Sequence, residues 1–151
     1  MDELDRALVS VLASDGRIRL ADLARRVGLS SPGAADRMRR LEERGIIKGF
    51  CADLDPAAMG LPLAAWLRIR PVPGNVHKVA ALLQECPEII ECDRVTGEDC
   101  FIAKAHVATV QDLERLIDRI NPYAMTNTSV IQSSPVPRRL PHVPARNGKA
   151  V

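Results

Sequence analysis

Four arginines, Arg37, Arg39, Arg40 and Arg44, crowd one short segment of this 151-residue chain, and Ser30, Ser31, Pro32 and Gly33 stand just ahead of them. Guanidinium groups at that density do the chemistry of anion recognition, pairing with phosphate oxygens or with the acceptor edge of guanine. No comparable set supports bond making or breaking: there is no Gly-rich phosphate loop, no nucleophile elbow and no carboxylate pair with a reason to share a site. Cys51, Cys86, Cys92 and Cys100 form no CxxC pair and have no paired histidine spacing beside them, so no metal site is expected. They read as small buried hydrophobes, with Cys86, Cys92 and Cys100 close enough in sequence to permit a redox switch. No cofactor is required by any motif.

The elements that must position the arginines follow from periodicity. Leu20, Leu23, Ala24 and Val27 recur at i, i+3, i+4 and i+7, one apolar stripe of a helix, with Arg25 and Arg26 outside it. Gly28 supplies a residue that tolerates positive φ at the helix end, and Ser30 or Ser31 can cap the next helix. Pro32 is tolerated in a first turn, and Ala35, Met38 and Leu41 continue as a buried stripe, which turns Pro32, Gly33, Asp36, Arg37 and Arg40 outward. Leu4, Ala7, Leu8, Val11 and Leu12 give a third helix over residues 3–14, ended at Asp15-Gly16. Three helices with a basic outward face have the shape and charge of a DNA-reading helix-turn-helix.

Composition divides the chain. With 46% hydrophobic and 26% charged residues it reads as soluble and globular, and its length suits one ordinary domain or two small ones. No apolar run approaches the ~20 residues that cross a membrane, and MDELDRALVS lacks a basic region followed by an apolar one, so a cytoplasmic location is expected. The net charge of +2 hides an uneven distribution: residues 53–134 carry 7 basic against 11 acidic side chains, while residues 135–151 carry 4 basic and none acidic. A positive first third suits the DNA backbone, and the acidic middle needs another task.

That middle has its own order of elements. Residues 63–71 alternate Leu63, Ala65, Leu67 and Ile69 with Ala64, Trp66, Arg68 and Arg70, the period of a half-buried strand. A helix is predicted over 76–86, strands over 89–96 and 101–107, a helix over 110–120 and a last polar strand over 124–134. The stretch IIKGFCADLDPAAMG reads as a short strand and linker ended by Asp55-Pro56 and Gly60. The predicted class is therefore α+β: a helix-turn-helix domain over residues 1–49, a linker strand over 50–60, a βαββαβ domain over 61–134 and a Pro-rich basic tail over 135–151. A βαββαβ order makes a four-stranded antiparallel sheet with both helices on one face. The other face is left bare, carrying Trp66 and either Cys100, Ile102, Lys104 and His106 or their alternates, and a homodimer through the sheets is expected.

The run GLSSPGAADRMRRLEERGIIKGF, followed by DPAAMG and a βαββαβ domain containing VTGEDCFIAKAHV, resembles the leucine-responsive regulatory protein and asparagine-operon activator (Lrp/AsnC) family of transcriptional regulators, from about Leu4 to Arg139. The resemblance implies a winged-type helix-turn-helix head and a ferredoxin-like ligand-binding, dimerising domain. Together with the residue pattern it predicts DNA contacts from Arg17, Arg19, Arg26, Ser30, Ser31, Pro32, Gly33, Asp36, Arg37 and Arg40. Arg37 is the expected base reader. For Arg39, Arg40 and Arg44, further along the helix, phosphate contact or a salt bridge to Glu43 from Arg39 or Arg40 stands level with readout, so they set affinity more than specificity, and Arg17 and Arg19 either meet phosphates or are plain surface charges. The expected partner is double-stranded DNA with paired half-sites, bound by dimers that assemble further to tetramers or octamers.

The resemblance also implies a small effector, commonly an amino acid, at the dimer interface near the Gly97 turn and the last strand. Thr96, Gly97, Glu98, Asp99, Cys100, Thr126 and Thr128 are the positions concerned. An amino acid needs an acid or carbonyls for its ammonium and N–H or hydroxyl donors for its carboxylate. Where the family's turn runs Gly, two residues and an aspartate, this chain has Cys100, with its acids moved back to Glu98 and Asp99. Two other functions fit the layout. One is a sirohaem decarboxylase-like enzyme, for which His77, His106 and His142 offer groups but no constellation; the other is an architectural protein that compacts DNA. A non-enzymatic regulator is the expected function. The tail is predicted to be an extended arm that packs on a neighbouring subunit, attracts DNA or stays disordered.

Overall fold

The structure, a computed structural model, describes residues 1–136 together with Arg138 and Leu140. It divides into two compact units, Met1–Ala52 and a second that begins at Asp53 and runs to Val136. The expectation for the tail lies almost wholly outside the described residues, as does His142.

Three helices build the first unit: α1 Glu3–Ser14, α2 Leu20–Arg26 and α3 Ser31–Glu43. Asp2 caps α1 in a reciprocal box with Asp5, and Ser30 caps α3 by accepting the Gly33 N–H at 3.2 Å. Gly28 adopts φ +70° after α2, the left-handed step that lets the chain stop and restart within a few residues. Leu8, Leu23, Val27 and Leu41 form the buried core, with Val11, Leu12, Ile18, Leu29, Met38 and Ile47 packed around them.

Two stripes keep most of their expected members, Leu8, Val11 and Leu12 on α1 and Met38 and Leu41 on α3, but differ from the sequence expectation at one edge. On α1 the inward positions are Asp5 and Leu8, while Leu4 and Ala7 are exposed; on α3 they are Ala34 and Leu41, with Ala35 only partly covered. Leu20 is likewise exposed. Positions three and four apart share a helix face, so a side chain beside the stripe can be drawn into the interface when a partner waits there. The predicted strand after Gly45 does not form either. Residues 48–55 are irregular, because a strand needs a hydrogen-bonding neighbour and the described residues offer none there. Asp55 and Pro56 instead open a turn in which the Leu61 N–H donates to the Pro56 carbonyl at 2.8 Å.

The second unit follows the order β1 Leu63–Pro71, α4 Val76–Gln84, β2 Ile89–Arg94, β3 Phe101–Val107, α5 Val110–Ile120 and β4 Ala124–Val130. The sheet order is β2-β3-β1-β4 with every pair antiparallel. This is the ferredoxin-like arrangement. Ala65, Leu67, Ile69, Phe101, Ala103, Ala105 and Val107 point to the helix side and meet Val79, Leu83, Leu113, Leu116 and Ile120. The sheet elements end slightly sooner than expected: β2 stops at Arg94, where the Val95 N–H donates to the Cys100 carbonyl and closes the turn, and β4 stops at Val130. No helix among the described residues is long and apolar enough to cross a membrane.

Candidate DNA interface and effector turn

Capping by Ser30 frees the first turn of α3, so Ser31, Pro32 and Gly33 lead a helix whose outward face carries Asp36, Arg39, Arg40 and Glu43. Arg39 bridges Asp36 and Glu43 at 2.6 Å each, and Arg40 reaches Asp36 at 3.1 Å. These pairs are exposed and exchangeable with phosphate oxygens at small cost, which suits side chains that grip a backbone.

Arg37 departs from its expected outward orientation. Its guanidinium turns back onto α1, where Nη1 donates to Asp2 Oδ2 at 2.6 Å and Asp5 Oδ1 at 2.7 Å, and the side chain is only 21% exposed. Position 37 lies one turn from both Ala34 and Leu41, on the side that packs against the rest of the head.

A second basic surface lies where α1 gives way to α2. Arg17, Arg19, Arg25 and Arg26 line an open cleft of about 440 Å³ with Asp15, Ile18 and Asp22. Asp22 accepts from Arg19 Nε at 2.8 Å and from Arg25 Nη2 at 2.6 Å. Arg17, Arg19 and Arg26 are thus brought to one place, and Arg25 joins them.

The head's carboxylates feel these partners. The Asp5 N–H and then the Arg37 guanidinium hold Asp2 below its ordinary value of 3.8; Arg19 does the same for Asp22, and Arg39 with Arg40 for Asp36. A carboxylate whose pKa is lower folded than unfolded stabilises the fold above the unfolded value and loses that contribution as pH falls through the folded one. The head is therefore expected to keep its helical circular dichroism down to about pH 4 and to lose stability below 3.8, with added salt shrinking the difference. A head whose melting temperature is flat between pH 5 and pH 2 would contradict this.

In the sheet unit the pleat and the register fix which side chains share the bare face. Glu91, Lys104, Trp66 and Ser129 form one row across the four strands, and Asp93, Ile102, Arg68 and Asn127 the next. Arg70 and Met125 continue it. The Lys104 ammonium lies 5.8 Å from the Trp66 ring centre. Of the two alternatives for β3, the bare face takes Ile102, Lys104 and His106.

The turn between β2 and β3 is pinned to this sheet, the Cys100 N–H donating to the Ile69 carbonyl at 3.0 Å. Gly97 has φ +111°, a conformation that few residues with a Cβ adopt. Glu98 pairs with Arg70, and Asp99 stands 3.9 Å from both Arg68 and Arg70. Cys100 packs against the sheet core. Thr96, Gly97, Glu98 and Asp99 thus form one exposed turn beside two arginines.

Thr126 and Thr128 do not join that turn. They pair with Ile69 and Leu67, so their side chains project to the helix side. Thr126 Oγ1 donates to Asn121 Oδ1 at 3.2 Å, and Thr128 Oγ1 is buried with no hydrogen-bond partner among the described residues. Arg68 and Arg70 were legible as outward residues of an alternating strand, but nothing local marks them as partners of Glu98 and Asp99. No sequence signal joins Arg37 to Asp2 and Asp5, which lie 35 and 32 residues away.

A helix-turn-helix head followed by a ferredoxin-like domain with a bare sheet face defines a two-part regulator, one part for DNA and one for a ligand. Residues 1–48 match the family model for a winged helix-turn-helix DNA-binding domain, and residues 64–141 match that of the Lrp/AsnC ligand binding domain. The transcriptional regulator LrpA of Mycobacterium tuberculosis is 39% identical over 129 residues, covering 85% of this chain and 86% of its own. The structure of LrpC from Bacillus subtilis superposes with a TM-score of 0.85 at 30% identity, covering 89% of this chain and 96% of that one. A feast or famine regulatory protein from M. tuberculosis, solved in complex with L-methionine, gives 0.88 at 36% identity over 95% and 99% of the two chains. The chain belongs to the Lrp/AsnC family of transcriptional regulators.

Proposed function

We propose that this regulator binds paired DNA half-sites as a homodimer and that an amino acid tunes the binding. The observation that carries the reading is the pairing, in one chain, of an outward arginine-bearing helix with an exposed turn whose two acids face two arginines of β1. DNA contact is assigned to Ser30, Ser31, Pro32, Gly33, Asp36 and Arg40 on α3, and to Arg17, Arg19 and Arg26 around the cleft; Arg37, turned inward, leaves this set. The first group approaches base edges at the helix start and the second holds phosphates, the division that a helix-turn-helix makes in a major groove. The names of the relatives favour a regulator over a catalyst.

The dimer forms through the bare sheet faces. Each face carries acids at its β2 edge, Glu91 and Asp93, and arginines on β1, Arg68 and Arg70, so a two-fold related copy can set opposite charges against each other around Trp66. Two-fold symmetry in the protein implies two half-sites in the operator, and further assembly to tetramers or octamers extends the same principle. The effector binds at the turn Thr96–Cys100, where Asp99 or Glu98 receives the ammonium and the Gly97 backbone and Thr96 hydroxyl receive the carboxylate. Thr126 and Thr128, whose side chains project to the helix side of β4, leave the effector set. The L-methionine complex of the M. tuberculosis relative supports an amino acid as the ligand class.

Selection of bound genomic fragments, with and without each of the twenty amino acids, tests this. A recurrent two-part site whose recovery changes with one or a few amino acids is expected. Fragments recovered without sequence preference would favour DNA compaction, and no thermal stabilisation by any amino acid at millimolar concentration would remove the effector.

A further inference from the structure

We infer that Arg37 is a positioning residue: locked between Asp2 and Asp5, it sets the angle at which α3 meets DNA and reads no base itself. The inference rests on α3 being the DNA-facing helix.

Both ends of the contact are built in. Asp5 is the buried charged residue of the described structure, with its side chain 12% exposed, and Arg37 answers it from the inward stripe of α3. The carboxylates are themselves fixed. Asp2 Oδ1 accepts the Asp5 N–H at 2.7 Å and Asp5 Oδ2 accepts the Asp2 N–H at 3.0 Å, so each acid spends one oxygen on the α1 cap and offers the other to Arg37. One guanidinium nitrogen therefore ties the middle of α3 to the N-terminus of α1 through charge-assisted bonds. The core that the two helices share is apolar, with Leu8, Met38 and Leu41 in one cluster, and apolar contacts permit sliding. The ion pair is directional and does not. A guanidinium satisfied on two carboxylates also lacks any drive to exchange them for a neutral guanine edge. By contrast, Arg39 and Arg40 on the outer face are 61% and 54% exposed.

The test is the ratio of affinity for a selected site to affinity for random DNA, measured on the full chain. The double variant Asp2→Asn with Asp5→Asn keeps both side-chain acceptors of the α1 cap and removes the charges that hold Arg37. Its ratio is expected to fall about tenfold, the effect of one mismatched base pair. Arg37→Ala is expected to fall by the same factor, and combining all three substitutions to add nothing further. Glu3→Gln, on the exposed side of α1, changes charge alone and should leave the ratio where it was. A loss of stability without misplacement would lower both affinities together and leave the ratio unchanged. An unchanged ratio in the Asp2/Asp5 variant overturns the inference. So does a raised ratio, which would mean that the acids hold back a base reader, and so does a further loss when Arg37→Ala is added. A wild type that shows no preference over random DNA overturns the assignment of the reading helix, and the inference with it.

Discussion

Leu41→Ala is expected to unfold the DNA-binding head while the sheet domain stays folded. The head's core rests on four large buried side chains, and Leu41, 1% exposed, shares that cluster with Leu8 of α1 and Leu23 of α2. Truncating a fully buried leucine costs about 2–5 kcal/mol, because the removed methyl groups lose their apolar surroundings and the cavity closes only in part. A unit of this size carries roughly 3–8 kcal/mol in all. The cost is of the same order as the whole, and the head's melting temperature should fall by roughly 10 to 30 °C. The sheet core shares no residue with the head core, so its own transition should not move. Scanning calorimetry with DNA binding as the second readout checks this. One cooperative transition displaced as a unit would show that the two units do not melt separately.

Trp66→Glu should give a folded monomer. Trp66 is 39% exposed at the centre of the bare sheet face, between Lys104 on β3 and Ser129 on β4, so its own fold does not depend on it. In a two-fold dimer the substitution occurs twice. Each copy would lose a large aromatic anchor, about 2 kcal/mol or more at an interface centre, and two carboxylates would be buried near each other. The dimer dissociation constant should rise roughly a thousandfold. Sedimentation equilibrium at micromolar concentration would then find dimers or larger assemblies for the wild type and monomers for the variant, with unchanged far-ultraviolet circular dichroism. A variant that sediments like the wild type would place the interface elsewhere. Binding to a paired site should drop to that of a single half-site, since the two heads would no longer arrive together.

The two units place different demands on charge. In the head, the arginines of the outer face are held by exposed pairs at i+3 and i+4, which exchange partners at small cost. At the turn, Glu98 and Asp99 already face Arg68 and Arg70. The turn thereby sets both charges side by side at the surface although Cys100 has gone over to the core.

The sequence by itself determined what depends on neighbours a few residues apart. The alternation over Leu63–Pro71 and the 3.6-residue recurrence of Val110, Leu113, Leu116, Ile117 and Ile120 specify their elements to the residue, because a strand or an amphipathic helix repeats its pattern locally. The order of those elements then restricts the sheet to one topology with one bare face. Only the tertiary structure decided matters of phase and partnership. Arg37 sits beside the buried stripe of α3 and turns inward because its partners, Asp2 and Asp5, come from the other end of the head. Thr126 and Thr128 sit on the helix side because of the register of β4 on β1, where a slip of one residue would have turned both toward the bare face. The segment after Gly45 has strand-forming residues but no strand, since backbone hydrogen bonds require a neighbour that no local pattern can supply.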